Sequence, residues 1–354
     1  MSTHDAHTPG AKKQLGGIKR RALNTTQEAL IKTSALTPDQ TLPLVVEPAL
    51  EGVDLIEWAT SHRDWLTQQI HTHGGILFRG FAIDRPEQLE RFVTAASGEL
   101  LEYRERSSPR SQVVGNIYTS TDHPPDQTIF LHNENSYQTT WPLQIFFCCT
   151  IPAQTGGETP IADVRKVYQR IDPAIRQRFA DKQVMYVRNF GGGVGLSWQT
   201  VFQTSDRAAV DEYCRHAGIT TEWREGDRLR TRRVGPAIGQ HPVTGEQVWF
   251  NHATFFHVTT LEPQIQAALL AQFQPEELPN NTYYGDGTPI EDEVMAALRA
   301  AYEQETVIFP WQRGDVLMLD NMLVAHGRSP FTGSRQVLVG MAHPTTHQRS
   351  SAEL

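Results

Sequence analysis

A two-sheet antiparallel β sandwich with helices packed outside it is the fold this sequence predicts. Three observations lead there. Short β-branched and aromatic runs are scattered along the chain with long connections between them, which does not suit a regular βαβ alternation. No glycine-rich phosphate loop opens a helical segment, so dinucleotide-binding and P-loop architectures drop out. From Leu42 onward, apolar segments follow one another with only Gly and Pro punctuation and no internal repeat.

Taken in order, residues 1–40 are polar and basic, with Lys12, Lys13, Lys19, Arg20 and Arg21 clustered and little apolar periodicity, and they read as a mobile N-terminal arm. Residues 41–346 read as one continuous domain and 347–354 as a C-terminal tail. Apolar residues recur at helical spacing over 53–70, 86–96, 163–179, 206–216 and 291–302. Asp172 before Pro173 is an N-cap with proline at the first helical position, which divides the third segment into two helices. Strands are expected at Gly75–Phe81, Leu143–Thr150, Gln247–Asn251, Val316–Leu319 and Gln336–Met341.

Composition narrows the function classes. The 354 residues are 39% hydrophobic and 20% charged, the balance of an ordinary globular protein. A net charge of -8 without a basic block in the body of the chain leaves no footprint for a nucleic-acid backbone. No apolar run is long enough for a bilayer, and the N-terminus lacks the apolar core of a secretory signal, so a cytoplasmic location without membrane partners is expected. The 3 cysteines include the neighbours Cys148 and Cys149, which point to opposite faces of a strand; buried thiols are expected, not disulfides.

The chemistry gathers at two places. Leu131-His132-Asn133-Glu134 sets an imidazole and a carboxylate two residues apart, on one face if the backbone is extended. His326 lies far downstream, just after the strand at Val316–Leu319. Two histidines and one carboxylate on one face of a metal leave three coordination positions open, the arrangement of non-haem iron oxygenases. The other His-x-acid pair, His62-Arg63-Asp64, falls in a helical segment where positions two apart diverge, and reads as a solvated face. His241, His252 and His257 read as structural histidines around a strand.

With these residues in place the chain resembles a known family. His132-x-Glu134, Gly156-Gly157-Glu158-Thr159, His241-Pro242-x-Thr244-Gly245, and His326 followed by Arg335 are similar in order and distance to the taurine dioxygenase-like branch of the 2-oxoglutarate oxygenases, from about Gly75 to Met341. Longer strings, such as Leu131-His132-Asn133-Glu134-Asn135-Ser136-Tyr137, Trp249-Phe250-Asn251 and Tyr284-Gly285-Asp286-Gly287-Thr288-Pro289-Ile290, resemble its syringomycin-type aminoacyl hydroxylase subgroup.

The resemblance implies a distorted double-stranded β-helix (jelly roll), mainly β with flanking helices. It implies Fe(II) held by His132, Glu134 and His326, with 2-oxoglutarate and O2 as co-substrates. The far carboxylate of 2-oxoglutarate would rest on Arg335, in the strand after the second histidine, with Thr159 donating a hydrogen bond; a planar guanidinium suits a carboxylate bidentately. Glu134 stands where taurine dioxygenase has aspartate, as in related hydroxylases, and its presence disfavours halogenation. The implied activity is C–H hydroxylation of an amino acid or a carrier-bound aminoacyl group in nonribosomal peptide or other secondary metabolism. The same centre also permits desaturation, epoxidation or cyclisation, and a jelly roll that binds a metal or small acid without turnover stands as the rival from another class. Substrate contacts are expected from Arg188, Trp198 and Asn251, with the loop Gly191–Gly195 as a mobile cover.

Overall fold

The computed structural model describes residues 30–98, 100–101, 111–121 and 123–346. In chain order the first third comprises β1 (Ile31–Ala35), β2 (Leu44–Pro48), α1 (Leu55–Ser61), α2 (Arg63–His73), β3 (Gly75–Phe78), α3 (Pro86–Ser97), β4 (Gln112–Val114) and β5 (Ile117–Thr119). Next come β6 (Ile129–His132), β7 (Thr140–Ile151), β8 (Thr155–Gly156), β9 (Ile161–Asp163), α4 (Val164–Arg170), α5 (Pro173–Lys182) and β10 (Val184–Phe190). Then follow α6 (Trp198–Phe202), α7 (Arg207–His216), β11 (Thr220–Arg224), β12 (Arg228–Gly235), β13 (Ile238–Gln240), β14 (Gln247–Trp249), α8 (Ala253–Phe256), α9 (Pro263–Gln272) and β15 (Asn280–Tyr284). The chain closes with α10 (Asp292–Gln304), β16 (Thr306–Val307), β17 (Val316–Asp320), β18 (Val324–Arg328), β19 (Phe331–Thr332) and β20 (Gln336–Thr346).

An eight-stranded sheet in the order β1-β2-β3-β17-β7-β20-β5-β4 and a four-stranded sheet β16-β9-β18-β6 make the sandwich. Among the described residues, only the β2–β3 pair of the large sheet runs parallel. The central strands are buried on both faces, which is why they read as continuous apolar runs. Ile145, Phe147 and Cys149 of β7 join Leu317 and Leu319 of β17 in one core with the four-stranded sheet. Their neighbours Phe146, Cys148, Val316 and Met318 turn the other way and pack with α1, α2 and α3. Strand alternation therefore assigns successive residues to two separate cores. Burial pushes both adjacent thiols up, Cys149 to about 12, and all three cysteines are buried and outside any disulfide.

A second four-stranded sheet, β11-β12-β10-β15, lies outside the sandwich. It carries a small core of its own, made of Phe190, Trp198, Val201, Val210, Cys214 and Leu229. Its strands were not expected, because Arg228–Gly235 reads as a basic polar stretch. Cross-strand arginine pairing, not apolar content, makes it a strand: Arg232 bonds Glu222 at 2.8 Å and Arg230 bonds Asn189 at 2.8 Å.

Two boundaries differ from expectation. The expected arm of residues 1–40 overlaps β1, whose five residues pair antiparallel with β2 as a mostly exposed edge strand. Its backbone pairing needs no apolar face, so periodicity missed it; residues 1–29 and the expected tail at 347–354 lie outside the described residues. The helix expected over 53–70 breaks at His62, whose Nδ1 lies 2.7 Å from the Trp58 carbonyl and whose ring stacks on Trp58. The division at Asp172-Pro173 holds, with Asp172 accepting the Ala174 N–H at 2.7 Å.

His257 ties stability to pH. It is buried, its Nδ1 accepts the Thr259 N–H at 3.3 Å, and burial holds its pKa down from 6.5 to about 4. The folded protein thus keeps it neutral. That contribution is complete above pH 6.5 and is lost as pH falls toward 4, on the order of 3 kcal/mol. Thermal unfolding of His257→Gln should show a shallower loss of Tm from pH 7 to 4 than the parent; an equal slope would assign the acid sensitivity elsewhere.

Candidate metal centre and co-substrate site

The register of the small sheet sets His132 directly opposite His326 across β6 and β18. Facing positions in an antiparallel pair bring side chains together without any loop, and the ring centroids are 4.5 Å apart. Gly327 permits the approach, since a Cβ there would meet the Ile129 carbonyl oxygen at 2.6 Å. His132 directs Nδ1 to the Phe130 carbonyl at 2.9 Å, so Nε2 is the nitrogen that a metal would take.

Glu134 arrives by a different route from the one its spacing suggested. His132 ends β6, and Glu134 lies beyond it in a turn that includes Asn135 at φ 57, so strand alternation does not place the carboxylate. Asn321 does. Its Oδ1 accepts the Glu134 N–H at 2.7 Å, its Nδ2 donates to the Glu134 carbonyl at 2.9 Å and to Pro142 at 2.8 Å, and its own carbonyl accepts from Asn133 Nδ2. Glu134 Oε2 then lies 3.9 Å from His326 Nε2, and one ligand atom from each of the three residues falls within 4.8 Å of the others. Phe147 and Phe255 pack against the two imidazoles at 4.9 and 4.4 Å, an apolar collar that limits water.

Behind Asn321 stands a second cluster, His71, His241 and Asp320, with ligand atoms also within 4.8 Å. It is a brace, not a metal site. His241 Nδ1 accepts the N–H groups of Val243 and Thr244 at 3.3 and 3.0 Å, so its proton sits on Nε2 and is donated to Asp320 Oδ2 at 3.0 Å. Asp320 Oδ1 takes the Met322 and Leu323 N–H groups at 2.9 and 3.1 Å. The turn that presents Asn321 is thereby fixed from below.

Asn321→Ala should weaken iron binding about 10 to 100-fold, the usual cost of losing a group that orients a metal ligand. Metal titration against the parent reads this, with Tm followed in parallel; a lower Tm with unchanged iron affinity would make Asn321 merely structural.

Arg335 occupies the loop immediately ahead of β20, not the strand itself. Its Nε donates to the Gly157 carbonyl at 2.8 Å, and Phe331 stacks beneath the guanidinium at 5.5 Å. Gly157 leaves the space, because a Cβ would lie 2.9 Å from Arg335 Cδ. Burial, then the charge of Arg328, holds the guanidinium down to about 10, and no acid bonds it among the described residues. A buried cation in that state calls for an anion. Thr159 is buried nearby in sequence; its Oγ1 accepts the Trp311 ring N–H at 3.2 Å, which leaves its own O–H to donate.

Of the three expected substrate contacts, one remains available. Trp198 is buried in the small core of the outer sheet and donates its ring N–H to the Asp227 carbonyl at 3.1 Å. Asn251 donates to the Ala237 carbonyl at 2.7 Å and accepts the Ala253 N–H at 2.9 Å, so both ends of its amide serve the fold. Arg188 lies over the Tyr137 ring at 6.0 Å. His252 was set aside as structural, yet its ring lies 5.6 Å from His132. Asn321 and Asp320 are site residues that the sequence reading lacks, although two polar side chains inside the apolar run Val316–His326 are a readable signal.

Comparison with known proteins agrees with this geometry. Residues 32–342 match the taurine catabolism dioxygenase TauD, TfdA family. The chain belongs to this family. Membership makes it an iron(II) and 2-oxoglutarate dependent oxygenase, as its residues implied. It is 43% identical over 271 residues to the dapdiamide synthesis protein DdaC of Enterobacter agglomerans, covering 77% of this chain and 82% of that one. It is 31% identical over 316 residues to a clavaminate synthase-like protein of Arabidopsis thaliana, covering 86% and 91%. Among solved structures, PvcB from Pseudomonas aeruginosa superposes with a TM-score of 0.53 at 17% identity, over 95% of this chain and 100% of that one. The protein AAD-2, in complex with Mn(II) and N-oxalylglycine, gives 0.51 at 12%, over 89% and 98%. These likenesses establish the jelly roll. No helix among the described residues is long and apolar enough to cross a membrane.

Proposed function

We propose that this TauD-family enzyme hydroxylates a C–H bond of an amino acid or a carrier-bound aminoacyl group in secondary metabolite biosynthesis, with His132, Glu134 and His326 as its iron ligands. The observation that carries the site is the convergence of two imidazoles and one buried carboxylate within 4.8 Å, the donor set of a facial triad. Similarity to a protein of dapdiamide synthesis supports the biosynthetic setting; a cytoplasmic location is part of the same proposal.

When bound, iron(II) and 2-oxoglutarate supply oxygen activation, in which O2, 2-oxoglutarate and a substrate C–H become succinate, CO2 and C–OH. The chain contributes placement. Arg335 binds the far carboxylate of 2-oxoglutarate in a dry setting, and the Thr159 hydroxyl donates to it. Asn321 and Asp320 fix the Glu134 backbone, while Phe147 and Phe255 exclude water from the imidazoles. Purified enzyme with iron, 2-oxoglutarate and oxygen, offered free amino acids and aminoacyl thioesters, should convert one member to a product heavier by one oxygen atom. A product lighter by two hydrogens would make the enzyme a desaturase, and no product from any member would refute the substrate class.

A further inference from the structure

Arg188 lies on β10 between Tyr186 and Phe190 and shares their face. Three other arginines of its sheet have hydrogen-bond or acid partners. Arg230 bonds the Asn189 side chain and, at 2.6 Å, the Glu276 carbonyl; Arg232 and Arg224 share Glu222. The Arg188 side chain has no hydrogen bond or acid partner among the described residues, and its Nε is buried without any acceptor. Its contacts are instead ring faces, Phe190 at 5.0 Å and Tyr137 at 6.0 Å. An unanswered guanidinium donor costs a folded protein free energy, so a group that answers it is retained by function more readily than by stability.

The surroundings say where that group comes from. Tyr137, Tyr186, Phe202 and Ile219 wall a narrow cleft with Arg188, closed by Thr231 and Arg233. No carboxylate lines it among the described residues, and aromatic walls strengthen any ion pair formed inside. Tyr137 packs on His252 with ring centroids 4.9 Å apart, and His252 packs on His132 at 5.6 Å. Two rings thus separate Arg188 from the metal triad. Arg335, the expected anchor of 2-oxoglutarate, keeps different company at Gly157, Ser120 and Phe331. The protein therefore offers two separate cationic anchors beside one metal centre.

We infer that Arg188 is a specificity-determining residue that takes the free carboxylate of the substrate in a bidentate pair, with the substrate lying along Tyr137 and His252 toward the triad. This rests on the oxygenase reading above and narrows it: a substrate esterified to a carrier has no α-carboxylate left to offer. The enzyme then selects free carboxylic acids of amino-acid size over thioesters.

The test uses the full chain loaded with Mn(II) and 2-oxoglutarate in the absence of oxygen, titrated calorimetrically with the common L-amino acids, their primary amides and their N-acetylcysteamine thioesters. At least one acid should bind, with its amide about 10 to 100-fold weaker, the worth of a charge-assisted pair. Arg188→Gln should lose the same factor for the acid and nothing for the amide. Arg188→Lys should recover only part of it, because an ammonium lacks the planar fork. Equal binding of acid and amide, wild-type affinity for the acid in both variants, binding of thioesters alone, or no binding across the panel would each overturn the assignment. The comparison of acid with amide uses wild-type protein and stands even if a variant fails to fold. Iron-dependent succinate formation by the wild type, measured alongside, tests the oxygenase reading by itself.

Discussion

His326→Ala is expected to reduce 2-oxoglutarate turnover by more than about 100-fold, since groups that merely orient a metal ligand already cost 10 to 100-fold when removed. The imidazole is 4% exposed, faces His132 across the sheet and lies 3.9 Å from the Glu134 carboxylate, so nothing else on β18 can replace its nitrogen. The same change leaves a cavity beside Phe147, whose ring lies 4.9 Å away, and some loss of stability will accompany it. Iron binding separates the two effects. A folded variant that no longer retains iron and forms no succinate supports the triad; one that forms succinate at the parental rate would remove His326 from it.

Arg335→Ala should raise the concentration of 2-oxoglutarate needed for half-maximal rate about 10 to 100-fold, with a smaller effect on the rate at saturation. Burial holds the Arg335 guanidinium down to about 10, and its hydrogen bonds among the described residues go only to the Gly157 carbonyl and the Ser120 hydroxyl, with no acid bonded to it. Removing that charge relieves a desolvation cost, so the co-substrate-free variant should unfold no earlier than the parent. The difference emerges with ligand. Wild type should gain Tm on adding 2-oxoglutarate and the variant should gain much less, because stabilisation by a ligand follows its affinity. Arg335→Lys should behave more like Ala than like Arg, as an ammonium cannot keep both the Gly157 contact and a forked pair. An unaltered saturation curve in both variants would place the co-substrate elsewhere.

What could be read from the sequence follows the range of the interactions involved. Asp172-Pro173 ends one helix and starts the next through local capping, and it was legible. The apolar runs at β7, β17 and β20 were legible because burial on both faces needs no pattern beyond hydrophobicity. His132 and His326 could be paired from residue types and resemblance, although only the β6–β18 register shows how they meet. The route of Glu134 was misread, because a turn held by Asn321, distant in sequence, replaces the expected extended backbone. The outer sheet was missed since its strands are held by arginine and acid partners whose matching requires the fold. Trp198 and Asn251 looked like ligand contacts by type; long-range bonds to Asp227 and Ala237 give them structural work instead.

Iron-dependent oxygenase activity is tested most directly by succinate formed from 2-oxoglutarate by purified protein, measured with and without added iron(II), with and without oxygen, and after chelation. Succinate is expected only when iron and oxygen are both present, abolished by the chelator and restored by iron(II). Succinate that persists after chelation, or no succinate from protein shown to hold iron at His132, Glu134 and His326, would contradict it.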